Sequence, residues 1–220
     1  QLQEGTQEEQ AEEVKEGPYY FEPKWEKQEI NQELGSEGSG GITLVFENNS
    51  EPVKEIPEVI QIKTGKEYKK ESEKQYQINS QSQEDYQKLL EDIKKDEKTI
   101  KNILFFDQFA QKQSQNNQKS VNNGLLLDGK QIQEELTPLF YLSKDLVSSK
   151  PKEKIFLLYI YETTPQNPNL IGPSLSGLAK TIRLENPKFE YRVIGVQRTE
   201  DGLPIFSKEM LQITNNELNE

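Results

Sequence analysis

Side chains able to carry chemistry are few in this 220-residue sequence, and the missing types narrow the choices first. It contains no histidine and no cysteine. That removes disulfides and thiolate nucleophiles, and it argues against the usual zinc and haem sites. It also removes the side chain that moves protons most readily near neutral pH. Proton transfer would then fall to Tyr, Lys, Ser or carboxylates. Tyr20 and Lys24 stand four apart. On a helix, such a lysine lowers the tyrosine pKa so that the phenol can protonate a carbonyl oxygen. Pro23 lies between them and forbids a helix interior, so the two are expected on different faces of an extended segment. No catalytic residue is assigned.

Phosphate-binding and phospho-acceptor arrangements fare no better. A nucleotide-binding α/β domain needs a glycine-rich turn directly after its first strand, where backbone N–H groups meet the pyrophosphate. Here the first apolar run is followed by Glu47-Asn48-Asn49-Ser50-Glu51-Pro52. It has no glycine, and its two acids would repel phosphate. Gly172-Pro173-Ser174-Leu175-Ser176-Gly177 opens a helix and could hold an anion, but Pro173 removes a donor and no lysine completes the loop. Gly177 is expected to permit close helix–sheet packing. Asp107 ends a strand and could serve as a phospho-acceptor, with Thr163 after the following strand, but the acidic pair that would hold magnesium is reduced to Glu47. Carboxylates elsewhere lie beside lysines, as in Glu91-Asp92 with Lys94-Lys95, the pattern of a solvated helix surface. No metal site is expected.

The elements that must position these residues follow from composition and periodicity. Leu, Ile, Val and Phe make up about a quarter of the chain, above the ~20% below which chains fail to bury a core. Net charge is −11, and it is uneven: residues 1–40 hold 11 acids against 3 bases, the remainder 27 against 24. An acidic chain repels phosphate backbones, so nucleic acid is not an expected partner. No run of about 18 apolar residues exists, and residues 1–10 lack the regions of a signal peptide. A soluble, cytoplasmic protein with no membrane partner is expected.

Residues 1–17 are rich in Gln and Glu and predict a disordered acidic linker. Order is expected from Tyr19-Tyr20-Phe21-Glu22-Pro23-Lys24-Trp25, an extended aromatic segment. From there to residue 220 the pattern predicts a single domain. Strands are predicted at 42–46, 59–62, 103–106, 155–161 and 191–196, and their apolar runs suit a parallel sheet. Helices are predicted from Ser82 as N-cap through Ile93, over 131–148 with a kink or restart at Pro138, over 173–185, and from about Ser207. Ile132, Leu136, Leu139, Phe140 and Leu146 are the predicted buried face of the second helix. Residues 66–81 and 111–123 are read as polar insertions. Alternating strands and helices predict a Rossmann-like α/β fold with helices on both sheet faces.

Three segments carry a resemblance. Tyr20-Phe21-Glu22-Pro23-Lys24-Trp25-Glu26 resembles the aromatic-Pro-x-Trp start of a polyketide synthase ketoreductase region. Leu139-Phe140-Tyr141-Leu142-Ser143-Lys144-Asp145-Leu146 is similar to a helix that this family places before a core strand. Leu175 through Pro187, with Ser176-Gly177, Ala179-Lys180-Thr181 and Glu185-Asn186-Pro187, looks like a third family helix. The resemblance implies the truncated Rossmann-like, non-catalytic N-terminal subdomain, with no cofactor bound by this chain. NADPH would sit in the catalytic subdomain, and phosphopantetheine on a carrier protein. The implied partners are that catalytic subdomain and neighbouring synthase domains, met through Tyr19, Phe21 and Trp25. Abundant Gln, Asn and Lys suggest a trans-acyltransferase synthase within polyketide biosynthesis, an antibiotic-type secondary metabolism. The alternatives are a protein-interaction or docking module and a receiver-like phospho-switch using Asp107.

Overall fold

The computed structural model describes residues 41–47, 58–110, 129–163 and 169–197. The chain divides into two units, Gln1–Ile30 and Asn31–Glu220, and every described residue belongs to the second. The expected linker at 1–17, the aromatic segment 19–25, the insertion at 111–123 and the helix from Ser207 lie outside the described residues. In chain order the elements are β1 (Ile42–Phe46), β2 (Val59–Thr64), β3 (Lys69–Ser72), β4 (Gln75–Ile78), α1 (Gln83–Lys95), β5 (Ile100–Phe106), α2 (Asp107–Ala110), α3 (Gly129–Ser148), β6 (Ile155–Thr163), α4 (Ile171–Glu185) and β7 (Phe189–Gln197).

The seven strands form one sheet in the order β3-β4-β2-β1-β5-β6-β7. All neighbours are parallel except β3 with β4. With β3 set aside, the parallel strands stand third, second, first, fourth, fifth and sixth in chain order, the arrangement of a Rossmann sheet. β1 sits at the centre, with Leu44 opposite Ile60 on one side and Ile103 on the other.

The stretch 66–81, read as a polar insertion, contains the β3–β4 hairpin, and β4 is an integral parallel strand beside β2. Its polar composition hid a period of two: Gln75 and Gln77 are half-buried while Tyr76 and Ile78 enter the core completely. β3 forms the sheet's edge with four exposed residues, Lys69, Lys70, Glu71 and Ser72. Charges on an edge strand discourage pairing with other chains.

The described helices pack on one face only, where both had been expected to be covered. Tyr86, Leu89 and Ile93 of α1 join Leu139, Leu142 and Leu146 of α3 and Leu175, Ala179 and Ile182 of α4 in one core. There they meet Leu44, Phe46, Ile62, Phe105 and Tyr159 of the sheet. Each such fully buried side chain contributes roughly 1.5–3 kcal/mol. The connections containing α1, α3 and α4 all step across the sheet in the same direction, so right-handed crossovers place them on the same side. Between β2 and β4 the chain uses the β3 strand instead of a helix. The opposite face buries Val45, Leu104, Phe106, Leu158 and Ile160 in a separate cluster that includes no residue of a described helix.

Helix α3 runs continuously through Pro138. Its buried stripe is Leu139, Leu142, Ser143 and Leu146, at spacings of three, four and seven. Phe140 was placed in that stripe from sequence, but it lies about 100° round the helix from Leu139 and is 51% exposed. Ile132 and Leu136 are only half-buried. At the start of α1, Ser82 occupies the N-cap position with extended backbone, yet its hydroxyl donates to Asp85 Oδ1 at 3.1 Å instead of capping the helix. Asp85 accepts in turn from the Asn79 N–H at 2.9 Å.

Candidate functional site at the switch point of the sheet

Open parallel sheets bind ligands outside the carboxyl ends of their strands, where strand order reverses. In this sheet the reversal lies between β1 and β5, whose ends carry Phe46-Glu47 and Phe106-Asp107. Any nucleotide site of the ordinary kind would be built there. What the chain places there instead is a wedge and two buried acids.

The wedge is α2, which turns back immediately after β5. Its Phe109 is fully buried, with its ring edge-on to Phe46 (centroids 5.3 Å apart) and to Phe105 (5.3 Å). The Phe109 backbone oxygen accepts a hydrogen bond from Thr64 Oγ1 at the end of β2, at 2.7 Å. The wedge is thus tied to strands on both sides of the reversal.

Glu47 follows β1 and continues its ladder, its N–H donating to the Ile62 carbonyl at 3.1 Å. Its side chain is 5% exposed, and Oε2 has no hydrogen-bond partner among the described residues. Burial strips the carboxylate of water and pushes its pKa up to about 7. Asp107, 7% exposed, accepts from the Glu162 N–H at 3.2 Å and from Asn169 Nδ2 at 3.4 Å. A phospho-acceptor must be open to its donor. Asp107 is instead enclosed and engaged, holding the ends of β5 and β6 to the start of α4.

Asn169 completes that junction. Its Oδ1 accepts from the N–H groups of Ile171 at 3.1 Å and Gly172 at 2.8 Å, and its own N–H donates to Thr163 Oγ1 at 3.1 Å. The donors that a bound anion would need at this helix start are therefore already engaged. The packing role expected of Gly177 falls to Gly172. A Cβ at Gly172 would collide with the Tyr161 ring, so this glycine is the one that permits close packing. Gly177 is exposed, and a Cβ there would meet nothing within 4 Å. The earlier reading of Gly177 as a helix–sheet contact is overturned because it faces outward.

Burial pushes Tyr86, Tyr159, Tyr161 and Tyr191 upward, and burial followed by the hydrogen bond to Asp92 does the same for Tyr68. Among the described residues no cluster of acids could hold a metal ion, and no helix is long and apolar enough to cross a membrane. Tyr20 with Lys24, and the predicted interface residues Tyr19, Phe21 and Trp25, lie outside the described residues. Sequence reasoning located Glu47 and Asp107 but missed Phe109 and Asn169. The available signals were an aromatic three residues past a strand end and an Asn two residues before a helix.

Comparison with known proteins follows this geometry. Two solved structures are similar in fold. One is the crystal structure of an N-terminal ketoreductase from a macrolactin assembly line, with TM-score 0.65 and 16% identity, covering 88% of this chain and 39% of that one. The other is a multidomain structure containing adenylation, ketoreductase and pseudo-Asub domains of a keto acid-selecting NRPS module, with TM-score 0.58 and 16% identity, covering 81% of this chain and 15% of that one. The chain therefore spans well under half the length of either. No curated protein matches. Residues 41–217, most of the sequence and all of its described elements, match the family model described as beta-ketoacyl synthase-like, N-terminal, and the chain belongs to that family.

Proposed function

We propose that this chain is the non-catalytic structural subdomain of a ketoreductase region in a polyketide-synthase-type assembly line, and that it braces an NADPH-dependent catalytic subdomain. The observation that carries the reading is the state of the switch point. A sheet with Rossmann strand order fills its ligand crevice with Phe109 and lines it with the buried acids Glu47 and Asp107. A pyrophosphate brought there would meet a ring and negative or unsolvated carboxyls instead of backbone donors. The sequence supports the same reading, since no glycine lies between Phe46 and Pro57.

On this reading the chain binds no nicotinamide. Its work is to present surface to the catalytic subdomain and to neighbouring synthase domains, including one that delivers substrate on a phosphopantetheine arm. Tyr19, Phe21 and Trp25 are the proposed contacts, because rigid aromatic rings offer large area at small entropic cost. The test mixes this chain with the catalytic ketoreductase half and follows both co-purification and NADPH-dependent reduction of a ketoacyl thioester. A stable complex with restored reduction is expected, with no heat of NADPH binding to this chain alone. Absence of association at micromolar concentration, or tight nicotinamide binding by the isolated chain, overturns the reading.

A further inference from the structure

The two edges of the described sheet are built differently. β3 has four residues, all exposed and three of them charged, and its register with β4 breaks between Lys70 and Ser72. Those are devices that keep an edge from pairing with other chains. β7 lacks them. Its nine residues pair with β6 in unbroken register from Phe189 to Gln197, without proline or bulge. A long, regular edge strand is a template for another strand.

Backbone direction fixes what that edge offers. The Ile155 N–H donates to the Lys188 carbonyl at 2.8 Å, so alternation turns the peptide groups of Glu190, Arg192 and Ile194 toward β6. Those of Tyr191, Val193 and Gly195 turn outward, and no described strand pairs with them. The outward N–H of Phe189 is already taken by the Asn186 carbonyl, at 2.9 Å.

Charge narrows the kind of strand that fits. Leu175, Ala179 and Ile182 of α4 face the sheet, while Ser174 and Leu178 line the cleft beside α3. At 100° per residue, Ser176, Lys180 and Arg183 fall on the opposite flank, above the open edge, and all three are exposed. Phe189 and Tyr191 join the helix-side core, so Glu190 points to the other face of the sheet. Arg183 reaches past β7 to its Oε1, at 2.9 Å. Lys154 and Arg192 approach the same carboxylate at 3.6 and 3.7 Å, so one acid answers three cations. Lys180 has no ion-pair partner among the described residues. Positive charge therefore borders this edge, in a chain whose net charge is −11.

We infer that the β7 edge receives an extended, acid-bearing segment of another protein, added as a further strand of the sheet. The peptide groups of Tyr191, Val193 and Gly195 bond to its backbone. Carboxylates on its helix side meet Lys180 and Arg183, and apolar side chains on its other side continue the strip of Ile194 and Val196. A second copy of β7 is a poor occupant. Two-fold pairing would bring Lys180, Arg183 and Arg192 of both copies together, and like charges set against each other oppose association.

The inference does not rest on the bracing role. The full chain is titrated at low ionic strength with an eight-residue peptide of alternating Glu and Val, while hydrogen exchange is followed at the Tyr191 and Val193 amides. Both amides should exchange freely in the chain alone and slow about tenfold or more with the peptide bound. A Lys–Val peptide of the same length should leave them unprotected. Lys180→Glu should weaken binding about fivefold. Val193→Pro should abolish binding yet melt within a few degrees of the wild type, because an edge strand tolerates proline where the N–H faces outward. Equal binding of the two peptides, an affinity that either variant leaves unchanged, or amides already protected in the chain alone overturns the inference. So does protection that grows with protein concentration alone, which would give the edge to a second copy.

Discussion

Gln81 donates its side-chain amide to the backbone oxygen of Glu134, at 2.8 Å across 53 residues of sequence. That carbonyl is the one that Pro138, four residues on and lacking an N–H, leaves without its helical partner. A side chain from the turn before α1 thus repairs the ladder of α3 and allows the helix to continue through the proline. Gln81→Ala should destabilise the fold by about 1 kcal/mol in urea unfolding. In a Pro138→Ala background the helix supplies its own donor, so the same change should cost markedly less. Equal costs in both backgrounds would mean that the amide does not serve this carbonyl.

Glu47 predicts the pH dependence. Its folded pKa of about 7 lies above the ordinary 4.5, so the folded state holds the proton more tightly than the unfolded one. The stability tied to that proton is complete below about pH 4.5, declines as pH rises through the window to about 7, and is absent above it. At about 1.4 kcal/mol per pH unit the effect is at most about 3 kcal/mol. Glu47→Gln should match the wild type in acid and exceed it at mildly alkaline pH. Parallel stability curves for the two proteins would refute the assignment.

Glu97 sits just past α1 with φ of 55°, in the left-handed region. The Lys98 N–H reaches the Ile93 carbonyl at 3.2 Å and the Glu97 N–H reaches that of Lys94 at 3.1 Å. This is the helix-ending pattern that favours glycine at the left-handed position. Glu97→Gly should raise stability by roughly 0.5–1 kcal/mol, visible as a higher urea midpoint with unchanged slope. A loss of stability would show that the Glu97 side chain makes contacts that matter more than its backbone strain.

Phe109→Ala should cost about 3–4 kcal/mol, the range for a fully buried aromatic. Xenon or benzene should then raise its melting temperature by filling the space left beside the stacked Phe46 and Phe105 rings. If the variant melts like the wild type, the ring is not the wedge described.

The parallel sheet was legible because β1, β5 and β6 are apolar on both faces, and such runs announce themselves without alternation. β4 escaped notice because Gln75 and Gln77 separate its two core residues, so composition outweighed the period of two. Phe140 was misplaced for a related reason: a four-residue apolar neighbourhood, Leu139 to Leu142, cannot say which member faces the sheet until Leu146 and Ser143 fix the stripe. At the switch point the sequence revealed the missing glycines and the acids Glu47 and Asp107. It could not reveal Phe109 folding back or Asn169 bonding to Asp107, since both depend on contacts between segments 45 or more residues apart in the chain. Gly177 shows the converse, a residue whose identity was read correctly and whose direction was not.

The junction of Asp107, Asn169 and the α4 amides has a further consequence for anyone hoping to restore nucleotide binding by design. In a ligand-binding sheet the helix-start donors at the carboxyl ends of the strands stay open to the ligand. Here the same donors weld β5, β6 and α4 together. Every substitution that frees an amide for a phosphate also loosens a seam of the protein, and a designer must first supply a replacement weld elsewhere.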